Sequence, residues 1–168
     1  MRLVLAAAAA AFALPAFAAA PEPQKPVSLA QLSGRYYEIA RLPTPHQRDC
    51  EAPTMDWARR KPGEYTIAMT CRKGSPTGAA SVQRASARII DPKTNARLKV
   101  SFLGGLASAE YRVIDHGSGW VLMGTSGGNY LWLLSRTPTL SAATRAAAVA
   151  RARSLGYNVS RFVYPKHG

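Results

Sequence analysis

In Arg97-Leu98-Lys99-Val100-Ser101-Phe102, apolar and polar residues alternate without a break. A period of two fits an extended strand, because successive side chains there point to opposite faces. Leu98, Val100 and Phe102 share the face to be buried, and Arg97, Lys99 and Ser101 share the wet one. The stretch from Tyr65 to Cys71 repeats the pattern, with Tyr65, Ile67, Met69 and Cys71 on one side. Arg35–Arg41, Met55–Arg59, Ser81–Ile90, Glu110–Ile114, Trp120–Gly124 and Tyr130–Arg136 are further candidates, which makes eight strands. Turn chemistry fills the gaps, as in Pro62-Gly63, Gly104-Gly105, His116-Gly117-Ser118-Gly119 and Gly127-Gly128-Asn129. Short strands at this regular spacing predict an all-β domain, a barrel or a sandwich.

One segment breaks the rhythm. Pro138-Thr139-Leu140-Ser141 leads into a run rich in Ala and Arg that ends at Leu155-Gly156. Ser141 suits an N-cap and Gly156 the C′ position, so the run predicts a single helix. Its few large apolar residues are Leu140, Val149 and Leu155, and Arg145, Arg151 and Arg153 keep the rest wet. Such a helix belongs outside the sheet rather than within it. From Asn158 to Tyr164 the alternation resumes, predicting a short final strand.

The chain starts differently. Met1-Arg2 is a minimal basic region, and Leu3 to Leu14 is an apolar run of mostly Ala and Leu, broken at Pro15. The run is too short to cross a hydrocarbon core of ~30 Å. Ala16-Phe17-Ala18 and Ala18-Ala19-Ala20 both fit an A-x-A cleavage site. Residues 1–20 read as an export signal, 21–26 as a proline-rich linker and 27–164 as one barrel-sized domain. No cysteine lies near the cleavage site to accept a lipid anchor, so a soluble exported protein is expected. Cys50 and Cys71 are the two cysteines, and in an oxidising compartment such a pair is expected to form a disulfide. A metal site would need more ligands, and His46, His116 and His167 are scattered. The formal charge of +13, or +12 once Arg2 leaves with the signal, suits weak contact with an anionic membrane surface. No nucleic-acid-binding motif accompanies it.

Gly34-Arg35-Tyr36-Tyr37-Glu38-Ile39-Ala40-Arg41-Leu42-Pro43 resembles the first motif of the lipocalins, with Tyr36 where the family usually has tryptophan. Val113-Ile114-Asp115 resembles the second motif, and Leu131-Trp132-Leu133-Leu134-Ser135-Arg136-Thr137-Pro138 the third. The order and gaps of all three, the cysteine pair and the trailing helix are similar to the bacterial, apolipoprotein D-like branch. The resemblance spans residues 27 to about 164. It implies an eight-stranded antiparallel up-and-down β-barrel with one C-terminal α-helix packed outside. It also implies that Tyr36 and Arg136 meet as a cation–π pair closing the barrel floor, with Gly34 and Asp115 as further structural motif residues.

By that resemblance the alternating apolar residues line a cup for a small hydrophobic or amphipathic ligand, of the fatty acid or lysophospholipid class, in the periplasm. The expected lining is Leu98, Val100, Phe102, Tyr65, Ile67, Tyr111, Val113, Trp120, Leu122 and Trp132. Periodicity alone leaves open whether these residues line a cup or fill a solid core. A carboxylate ligand would want a cation near the mouth, and Arg84 and Arg88, sharing a face with Val82 and Ile90, are the candidates. Catalytic residues and cofactors are not expected: Gly117-Ser118-Gly119 lacks the strand–elbow–helix setting of a nucleophile, and no phosphate-cradling glycine loop precedes a helix. Two alternatives stay open, an enzyme on the same barrel acting on a lipid or terpenoid, and a cationic protein of the envelope surface.

Overall fold

The computed structural model describes residues 19–168, so most of the expected export signal lies outside the described residues. Eight strands, β1 (Gly34–Arg41), β2 (Cys50–Lys61), β3 (Glu64–Lys73), β4 (Ala80–Ile89), β5 (Arg97–Phe102), β6 (Ala107–Gly117), β7 (Trp120–Thr125) and β8 (Leu131–Ser135), form the sheet. Each pairs antiparallel with the next, and β8 returns to β1 to close the barrel. Closure leaves no strand edge open to another chain. The helix α1 (Ala142–Ser154) follows β8.

Two apolar clusters sit on opposite sides of one wall. Inside the barrel, Trp57, Tyr65, Ile67, Leu98, Val100, Val113, Val121, Met123, Trp132 and Leu134 pack together. Outside it, Ile39, Ala40, Ile114, Leu122, Leu131 and Leu133 pack beneath the helix and the C-terminal segment. Alanines make the helix contact: Ala148 and Ala152 are buried, while Leu140, Val149 and Leu155 are only partly so. Small side chains let the helix axis approach the wall closely. Ser141 Oγ accepts from the Thr144 amide at 3.1 Å, and Gly156 ends the helix at φ +89°, a conformation glycine adopts without a Cβ clash.

β1 changes side part-way along. A bulge between Glu38 and Ala40 sends both Ile39 and Ala40 to the outer cluster. Arg41 is thereby paired with Trp132, three residues from Glu38, instead of following strict alternation. Re-aiming a side chain is what a bulge does to a strand.

The short final strand shrinks in the structure to one bridge, Val163 with Arg41. Before it, the Asn158 side chain accepts from the Ser160 amide at 3.2 Å and starts a 3₁₀ turn, Val159–Arg161. A local side-chain bond of this kind competes with sheet pairing.

Cys50 and Cys71 are joined as a disulfide across β2 and β3, with their Cα atoms 5.4 Å apart. The Cys50→Ser/Cys71→Ser variant is expected to lose about 3 kcal/mol of stability. Chemical denaturation read by tryptophan fluorescence would measure the loss.

Candidate functional site

The β1–β2, β3–β4, β5–β6 and β7–β8 connections ring one end of the barrel, and the chain before β1 crosses the other. That crossing makes a floor. Val27 and Leu32 are buried there, and the Val27 amide donates to Thr94 O at 2.7 Å. The Arg136 guanidinium lies 3.8 Å from the Tyr36 ring centroid. It also donates to the carbonyls of Arg35 at 3.0 Å and Gln31 at 2.9 Å, and Tyr36 Oη donates to the same Gln31 carbonyl at 2.5 Å. A side chain on Gly34, at φ +90°, would meet Arg136 Nη1 at 3.1 Å, so glycine is needed for both the backbone and the space. Asp115 sits on the same end and accepts from Lys25 at 3.2 Å and from the helix residue Arg151 at 3.1 Å. These bonds and the His116 amide outweigh partial burial and hold its carboxyl below the usual range.

Above the floor the lower lumen is filled by side chains. Tyr65, Leu98 and Val113 are almost wholly buried, with Ile67 and Val100 beside them. Over them opens a cavity of about 440 Å³, reached from the ring of connections. This lies within the ~300–1,000 Å³ range of small-molecule sites. Met55, Met69, Phe102, Ala109, Tyr111, Tyr130 and Trp132 supply much of its apolar lining. The Tyr111 and Trp132 rings stack at 5.5 Å. Burial pushes the Tyr111 phenol up to about 12, so it remains a neutral hydroxyl.

A polar cluster closes one wall. Glu38 is fully buried yet borders the cavity. Its Oε1 accepts from Arg41 Nη1 and its Oε2 from Gln47 Nε2, each at 2.7 Å. Gln47, in the 3₁₀ turn Pro45–Gln47, holds two more partners: its Oε1 accepts from Trp132 Nε1 at 3.1 Å, and its carbonyl from Arg41 Nη2 at 2.8 Å. One side chain thus ties the mouth turn to β1 and β8. Burial raises the Glu38 carboxyl above its usual range, with Arg41 and Gln47 pulling the other way.

The ten residues expected to line a cup fall into three groups. Phe102, Tyr111 and Trp132 border the cavity. Tyr65, Ile67, Leu98, Val100 and Val113 face inward but form the packed base below it. Trp120 and Leu122 are corrected: they lie with the outer cluster, and Val121 and Met123 face inward from β7. In Trp120-Val121-Leu122-Met123 every residue is apolar, because the helix covers the outer face as well, so alternation gives no direction there. Arg84 and Arg88 are likewise corrected. They pair with Ala68 and Glu64 on the outside of β4, whose inward row is Ser81, Gln83, Ala85 and Ala87. Val82, on the same face, is 51% exposed. The cavity roles of Glu38 and Gln47 escaped the sequence reading; an acid three residues before an arginine in a strand was the available signal, hidden by the bulge.

Comparison with known proteins agrees with this architecture. The family model for the lipocalin-like domain matches residues 27–167. The chain is 32% identical over 176 aligned positions to the outer membrane lipoprotein Blc of Escherichia coli K12, covering 98% of this chain and 97% of that protein. The Blc of Vibrio cholerae is 27% identical over 150 positions, with 86% of each chain covered. Among solved structures, insecticyanin from the tobacco hornworm superposes with a TM-score of 0.69 at 15% identity, covering 88% of this chain and 84% of that one.

Proposed function

This chain belongs to the lipocalin family, and from that premise we propose that it is an exported carrier, not an enzyme, that holds a single-chain lipid of about fatty acid or lysophospholipid size in its cup. The observation that carries the reading is the partly filled lumen, with an apolar base and a cavity of about 440 Å³ above it. Burying a chain there yields ~0.8 kcal/mol per methylene, so about ten methylenes reach the ~8 kcal/mol of a micromolar Kd. The Blc relatives are outer membrane lipoproteins. Here the two cysteines of the sequence are bonded to each other, which favours a soluble envelope protein over an acylated one. Its basic surface is expected to add a weak contact with anionic membranes that fades with salt.

Trp132 makes the cup its own reporter. Titration with a long-chain lipid is expected to change tryptophan emission saturably in the micromolar range. The change should survive added salt and vanish in Trp132→Phe, because Trp57 sits in the packed base and Trp120 outside the wall. No saturable change with any single-chain lipid would remove the carrier reading. A response abolished by salt would move function to the basic surface.

A further inference from the structure

We infer that the cup selects lipids whose polar end is uncharged and hydroxylated, a monoacylglycerol or a long-chain alcohol, and disfavours a free carboxylate. The inference rests on the cavity being a lipid cup and adds the chemistry of the head. With an apolar base, the tail must point down and the head must lie level with Glu38 and Gln47.

At that level the wall presents a carboxylate and neutral groups. Glu38 borders the cavity, and the positive charge of Arg41 is spent on it at 2.7 Å within the wall. The Glu38 side chain is 1% exposed, so it is satisfied within the wall by Arg41 and Gln47 and leaves the head to the polar groups that line the cavity. Neutral polar side chains face the head as well: Ser81 pairs with Cys71, Gln83 with Met69 and Thr125 with Tyr111, all on the row facing the lumen. Among the described residues, no lysine or arginine lines the cavity. A hydroxylated head can therefore both donate and accept. A carboxylate head can only accept, and no cation faces it across the cavity to offset the water it gives up on entry.

The test compares three ligands of one chain length, a monoacylglycerol, a fatty alcohol and a fatty acid, by Trp132 emission at about pH 8, where the fatty acid carboxyl is ionised. The two uncharged ligands are expected to bind at least about tenfold tighter than the fatty acid. Gln83→Lys, at an exposed inward position, should then shift the ratio of fatty acid to monoacylglycerol affinity about tenfold towards the fatty acid. Equal or tighter binding of the fatty acid by the unmodified protein would overturn the inference while leaving the carrier reading intact. So would a Gln83→Lys variant with unchanged selectivity. Failure of all three ligands to bind would overturn both.

Discussion

Arg41→Met is expected to destabilise the protein by about 3–5 kcal/mol, because it leaves the Glu38 carboxylate buried without a counter-charge. Arg41 and Glu38 side chains are 4% and 1% exposed, so solvent cannot replace the lost partner. The double variant Glu38→Gln/Arg41→Met should recover most of the loss, since a neutral amide beside a methionine leaves no orphaned charge. The defect also carries a pH signature. Burial already raises the Glu38 carboxyl in the folded state, opposed by Arg41. For an acid with a raised folded value, the stabilising contribution is full below the unfolded value and is lost as pH rises through the folded one. Removing Arg41 raises the folded value further, so the cost of Arg41→Met should be small in acid and grow towards neutrality. Denaturation midpoints of the two variants across pH would check this; a pH-independent cost would mean that packing, not charge, dominates.

Arg136→Ala is expected to lower the melting temperature by roughly 6–15 °C, which at 2–4 °C per kcal/mol corresponds to roughly 3–4 kcal/mol. Two bonds from a charged donor contribute ~1.5–3 kcal/mol each before compensation by water, and the Tyr36 contact another ~0.5–2. Partial exposure of the guanidinium keeps the total below the simple sum. Every one of these contacts lies at the closed end, beneath the packed base, so ligand affinity in the folded fraction should stay within about twofold. Calorimetry together with Trp132 titration separates the two effects. A large fall in affinity at unchanged melting temperature would contradict a purely structural floor.

The strands were legible in the sequence where one face was wet. Leu98-Lys99-Val100-Ser101-Phe102 specifies its own orientation, and Tyr65 to Cys71 does the same. β7 and β8 were legible as strands but not in their facing, since Leu131-Trp132-Leu133-Leu134 and Trp120 to Met123 are buried on both sides and carry no alternation to read. The floor could be anticipated only through the family resemblance, because Tyr36 and Arg136 are a hundred positions apart in sequence. Arg35 and Arg41 on either side of Glu38 point to a paired acid, but not to which arginine pairs with it or to Gln47. A strict strand would have put Glu38 and Arg41 on opposite faces, and only the bulge unites them.

The division of the apolar residues into two clusters separates durability from taste. Leu122, Leu131 and Leu133 are wholly out of solvent beneath the helix, so much of the wall's cohesion comes from behind it. Side chains around the opening can drift to suit a new cargo without loosening that outer seam. A lineage built this way can change what it carries faster than it changes its shape.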